Sequence, residues 1–223
     1  TNDGANIALY GSTHSSQAGN FEFRSGSSYV LKIKSDGKIG IGTTSPEGKL
    51  HLETGSSGSS YSADNSDVLI IEHSDSVGID LRSPAANSGN ILFSDANARG
   101  QGRIGYGHNN DGMFFCTGGV ANTRMTIDSS GNVGIGTSSP TLPLNVLTTG
   151  NDAAIFESTS GNEHGVQVTF RSSSASPADD DKLAVLDFSG KDSAGNNTTY
   201  AQIRSHSRDV TNNSEDGDIT FHT

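Results

Sequence analysis

The sequence predicts an all-β chain of tandem modules, and three observations carry that expectation. Short runs of alternating apolar and polar residues recur throughout, each bounded by Gly, Ser, Asn or Pro, the pattern of half-buried strands. No stretch combines helical periodicity with capping residues. One segment also occurs twice: Lys34-Ser35-Asp36-Gly37-Lys38-Ile39-Gly40-Ile41-Gly42-Thr43-Thr44-Ser45-Pro46 returns as Asp128-Ser129-Ser130-Gly131-Asn132-Val133-Gly134-Ile135-Gly136-Thr137-Ser138-Ser139-Pro140. The register extends further without a gap, pairing Leu31 with Met125, Ile33 with Ile127, Leu50 with Leu144 and Leu52 with Val146. An offset of 94 residues is too long for a solenoid coil and suits a small domain.

The repeated segment has a readable local chemistry. Leu31-Lys32-Ile33-Lys34 and Met125-Thr126-Ile127-Asp128 alternate as strands do. Ser35 to Lys38 and Ser129 to Asn132 each place a glycine where a tight hairpin requires positive φ. The Ile-Gly-Ile-Gly and Val-Gly-Ile-Gly runs alternate again, but one face carries only hydrogen atoms. Those glycines read either as a weak or bulged strand or as a site of close backbone approach, and their recurrence favours close approach. Ser-Pro then ends the ladder, because proline donates no hydrogen bond.

Taken in order, residues 1–54 read as the C-terminal half of a module. Ile7 to Tyr10 and Asn20 to Phe23 are strands around a Gly11–Ser16 loop; the glycine motif and Lys49 to Leu52 follow. Gly55 to Ser60 is a flexible connection by composition. Residues 55–149 form the complete module. Its strands are Val68 to Glu72, Gly78 to Arg82, Asn90 to Ser94, Arg103 to Tyr106, Gly112 to Cys116, Arg124 to Ile127 and Asn132 to Gly136, which favours a sandwich or barrel. Residues 150–223 repeat the module's first part, with Phe156-Glu157 matching Ile71-Glu72, Phe170-Arg171-Ser172 matching Leu81-Arg82-Ser83, and Phe188-Ser189 matching Phe93-Ser94. Phe23, Phe115 and Phe221 are equivalent, and insertions fall at Ser173–Asp181 and Lys191–Thr199. This frame predicts an array cut at both ends, with a third glycine motif due after Thr223.

The stretch Arg124 to Pro140 and the stretch Gly37 to Leu52 resemble the GNVGIGTxSP-type repeats of tailed-bacteriophage tail fibres and receptor-binding fibres. Many members of that family end in a self-cleaving intramolecular chaperone, of which this sequence holds no trace. The resemblance implies a parallel homotrimer whose β modules are joined by glycine-rich, intertwined β segments. It also implies a place in the virion, outside the host cell, with tail or baseplate proteins as neighbours and a host glycan as the distal target.

Composition sets limits on partners. Leu, Ile, Val and Phe number 45 of 223 residues, with 28 Gly and no Trp, which is thin material for a core in one small module. A core shared between identical chains reconciles that thinness with the regular patterning, so a homo-oligomer is expected. A net charge of −11 disfavours nucleic acid and anionic membranes as partners. No run of about eighteen apolar residues is present, so neither a membrane span nor a signal peptide is expected.

No residue is assigned a catalytic, cofactor-binding or metal-binding role. Asp179-Asp180-Asp181 and Glu215-Asp216-Gly217-Asp218 lack EF-hand spacing and read as solvated loops rather than calcium sites or carboxylate pairs. His14, His51, His73, His108, His164, His206 and His222 are scattered, without a His-x-His pair. Cys116 stands alone, equivalent to Arg24 and His222, and reads as an incidental thiol. Arg82 and Arg171 read as salt-bridge residues, with ligand contact as the alternative. A structural fibre segment is therefore the expected function. A glycan-binding module is the alternative, although exposed aromatics for a sugar platform are few, and a tailspike-like glycan hydrolase is a second.

Overall fold

The computed structural model describes residues 4–11, 13, 15, 18–59, 63–64, 66–159 and 165–223. His14, His164 and parts of the two expected loops at 11–16 and 55–60 lie outside the described residues. The chain is all-β. Two compact units divide it, Thr1–Leu147 and Thr148–Thr223.

Unit one holds two six-stranded sheets. The first runs in chain order through β1 (Ala5–Leu9), β2 (Phe21–Ser25), β3 (Ser28–Ile33), β4 (Ile39–Ile41), β5 (Leu50–Glu53) and β6 (Leu69–Glu72). The second runs through β7 (Ser88–Phe93), β8 (Gly102–Gly107), β9 (Gly112–Thr117), β10 (Thr123–Ile127), β11 (Val133–Ile135) and β12 (Leu144–Val146). Unit two holds a three-stranded meander of β13 (Lys182–Lys191), β14 (Asn197–Asp209) and β15 (Asp216–His222). Both glycine-bearing hairpins form as expected, with Gly37 at φ 80° and Gly131 at φ 84°. Asp128 fixes its turn by accepting from the Ser130 and Asn132 amides, and Asp192 repeats the arrangement with Ala194 and Asn196. The expected insertion at 191–199 forms the end of the β13–β14 hairpin.

Three expectations are corrected. Gly78 to Arg82 is not a strand; it makes no ladder bonds. The first sheet continues past residue 54 and takes its last strand from Leu69–Glu72. The sheets are also neither sandwich nor barrel within one chain, since among the described residues each strand contacts only its neighbours in its own sheet. A sandwich needs two apolar faces brought together, and here each sheet's apolar face has none opposite it.

The glycines explain which face is covered. β4 and β5 are adjacent and parallel, yet only the eight residues Gly42 to Lys49 connect them; β11 and β12 repeat this with Gly136 to Pro143. Parallel neighbours usually need about a dozen or more connecting residues. So short a return must cross directly over the strand it leaves. A Cβ on Gly40 would lie 2.5 Å from the Thr43 carbonyl oxygen and 3.4 Å from Pro46 Cδ; on Gly134, 2.5 Å from the Thr137 oxygen and 3.4 Å from Pro140 Cδ. Close approach is thus the correct reading of the glycines, but the approaching backbone is the chain's own loop. Each loop carries its own pins: Thr43 and Thr137 hydroxyls accept from Ser45 and Ser139 amides. His51 and Asn145, equivalent residues on β5 and β12, accept from the Glu47 and Thr141 amides.

Beneath the first loop's face lies a buried ion cluster. Glu22 is fully buried, with Arg24 Nη2 at 2.6 Å and Lys32 Nζ at 3.2 Å. Burial opposes ionisation of Glu22, but the bonds from Arg24 and Lys32 outweigh it and hold its pKa below the ordinary value. In the second sheet the equivalent positions are Phe114, Cys116 and Thr126, and Phe114 lies over Gly105 with the Arg103 guanidinium 4.2 Å from its ring. Apart from glycines and the loop prolines Pro46 and Pro140, Cys116 is the single buried apolar residue among those described.

Two stability predictions follow from these contacts. Gly134→Ala should cost about 1–3 kcal/mol by forcing the return loop off β11, measured by denaturant unfolding; stability equal to the parent would remove the crossing-loop account. Glu22→Gln should cost about 3 kcal/mol by leaving the Lys32 charge buried without its counter-ion, read in the same experiment.

Candidate functional site

Two features stand out, an uncovered apolar face and a polar cleft. The face comes from register. Across the first sheet, Ile7, Phe23, Leu31, Ile41, Leu52 and Ile71 lie side by side, one from each strand. Leu9, Phe21, Ile33, Ile39, Leu50 and Leu69 form a second row on the same face. The second sheet repeats the first row with Ile91, Ile104, Phe115, Met125, Ile135 and Val146. Leu186, Ile203 and Phe221 continue the pattern in unit two. Because side chains alternate across a strand, every residue of a row points to one side. None of them is buried: Ile7 is 62% exposed, Ile91 51% and Phe221 78%.

Surface area gives the scale. The chain exposes 16384 Å². Two independently folded bodies of these sizes would expose roughly 11,500 Å² by the scaling of surface with mass. The excess of about 5,000 Å² dwarfs the ~800 Å² that each partner buries in a standard protein interface.

The polar cleft, of about 520 Å³, lies where β5 and β6 run parallel, and is lined by Glu47, His51, Glu53, Ser57, Asp67 and Glu72 among others. Glu53 and Glu72 stand opposite each other in register. His51 is 3% exposed. Its Nδ1 accepts from the Glu47 amide, so Nε2 carries the proton and donates to Glu72 Oε2 at 3.1 Å. The Ser57 amide and hydroxyl both donate to Glu72 Oε1, and these bonds, before the His51 contact, hold the Glu72 pKa below its ordinary value. Ligand atoms of His51, Glu53 and Glu72 lie within 4.8 Å of one another, so these three residues could hold a divalent cation. Sequence spacing alone did not bring them together, because Glu72 joins through a parallel register 21 residues away.

The sequence-singled residues fall elsewhere. Asp180 and Asp218, from the two acidic clusters, converge on Arg208, with Arg208 Nη2 2.6 Å from Asp218. Asp179 accepts from the Val210 amide and Asp181 from the Ala178 amide. These carboxylates make local bonds within unit two while Asp179 and Asp180 stay exposed, as expected of solvated loops. His206 Nδ1 lies 3.3 Å from Asp218, His73 accepts from the Asp75 amide, His108 meets Tyr106 edge-on, and His222 contacts Thr220. Arg82 pairs with exposed Asp80, and Cys116 sits against Arg103 and Thr123. No protein family and no curated protein matches the chain.

The Glu72 contacts set a pH dependence. A carboxyl whose pKa is lowered on folding stabilises the fold above its unfolded pKa and loses that contribution as pH falls through the folded one. Carboxyl-detected NMR should therefore show Glu72 titrating below 4.5, the ordinary value. In Ser57→Ala its titration should move upward; a Glu72 that titrates at the ordinary value in the parent would contradict the geometry.

Proposed function

We propose that this chain is a structural segment of a viral tail fibre, of the bacteriophage type that its glycine motifs resemble. In this reading, copies of the chain associate through their apolar sheet faces into a parallel homotrimer. The assembly forms part of the virion exterior, joined to tail or baseplate proteins, and carries a host-adhesion tip away from the particle. One observation carries the proposal: every sheet presents an aligned apolar row, none of whose residues is buried by the described residues of its own unit. Burying such rows between chains supplies the core that each single-layer sheet lacks. A shared axis also lets many weak tip contacts act together.

The hydrolase alternative needs one carboxyl with a raised pKa beside a second that stays ionised, and Glu72, whose pKa is lowered by its Ser57 bonds, suits only the ionised role. The glycan-binding alternative draws support from the same cleft, whose polar lining suits hydroxyl groups. Negative-stain microscopy of the purified chain with a glycan array separates these readings. Uniform elongated particles without retained glycan are expected. Compact single-chain particles, or saturable glycan capture lost in Glu72→Gln, would overturn the structural-segment reading.

A further inference from the structure

The stretch Val77-Gly78-Ile79-Asp80-Leu81-Arg82-Ser83 has a strand's sequence and no strand's partner. Val77, Ile79 and Leu81 alternate with polar or small residues, and all three are exposed. Among the described residues no backbone amide or carbonyl from 77 to 83 makes a hydrogen bond. The segment joins β6 to β7 and lies beside residues of both sheets. Val77 and Ile79 lie beside Leu69 and Ile71 of β6, and Ile79 and Leu81 lie beside Ile91 of β7. The apolar face therefore runs on across this segment, while its ladder is missing.

Unit two contains the same heptad. Val166-Gln167-Val168-Thr169-Phe170-Arg171-Ser172 matches it residue for residue in type at Val, Ile/Val, Leu/Phe, Arg and Ser. It too lies outside any strand, with Val166, Val168 and Phe170 each about half exposed and no backbone bond among the described residues. Two separate instances of strand patterning without a ladder are not explained by turn chemistry, since neither heptad contains a proline or a positive-φ residue.

We infer that residues 77–83 and 166–172 are interchain strands, hydrogen-bonded backbone to backbone with a second copy of this chain. A second copy is the occupant the observations favour. The heptads continue the same apolar rows, which every copy presents, and the chain as a whole exposes about 5,000 Å² more than compact bodies of its size would. Identical copies also present the unpaired donors and acceptors that each heptad lacks, in a matching strand pattern. This places the contact between chains at the heptads and not at the glycine loops, which the chain fills by itself. The inference rests on the proposed self-association and deepens it by naming the segments that pair.

Hydrogen exchange on the full chain, with native mass spectrometry of the same sample, tests it. If the heptads pair, their amides should exchange at least about 100-fold more slowly than unpaired backbone. Asp80→Pro and Thr169→Pro remove one donor each from the polar side, leaving the apolar residues in place. The proline variants should weaken assembly and lose heptad protection, whereas Asp80→Ala and Thr169→Ala should keep both. An assembled chain whose heptad amides exchange freely, or whose proline and alanine variants behave alike, overturns the inference and leaves self-association standing. A monomer overturns both.

Discussion

The return of the chain over its own bare backbone governs how this protein is put together. Gly40 and Gly134 leave room for nothing but hydrogen beneath Thr43 and Thr137. The loop can therefore cross β4 or β11 at contact distance and enter the next strand in parallel. One consequence is local: the loop lies over Gly40 and bonds to His51, on the sheet face that also carries buried Glu22 and Lys32. The other consequence is global. A sheet whose polar face is already covered by its own loop leaves its apolar rows for some other surface to cover.

That division inverts the usual economy of a small β domain, in which apolar side chains meet inside and polar ones face water. Here the fully buried side chain is a glutamate held by two cations, while phenylalanines and isoleucines stand in the open. The second sheet reaches the same arrangement with different residues, exchanging the Glu22 cluster for Phe114 over Gly105. Conserving the loop geometry while replacing what lies beneath it is a sign that the loop, and not the ion cluster, defines the module.

Much of this was legible in the residues. Period-2 alternation located most strands of unit one, since side-chain direction is written directly into such a pattern. Both hairpin glycines were found because positive φ at that place admits few other residues. Alternation alone, however, says nothing about what covers a face, so the sandwich or barrel was a misreading of a one-sided sheet. The same limit applies at Gly78 to Arg82, where the pattern is that of a strand and the chain supplies no neighbour. Glycine marked close approach but not whose backbone approaches. The pairing of His51 with Glu72, and of Arg208 with Asp180 and Asp218, depended on long-range registers that no spacing in the sequence encodes.

On the proposed reading, one chain is not a finished folding unit, because its apolar rows need cover from other copies. Light scattering across a dilution series measures this most directly. A homotrimer gives a particle three times the 23.1 kDa chain mass that persists to low micromolar concentration. A cooperatively folded species at the mass of one chain, stable at those concentrations, would contradict it.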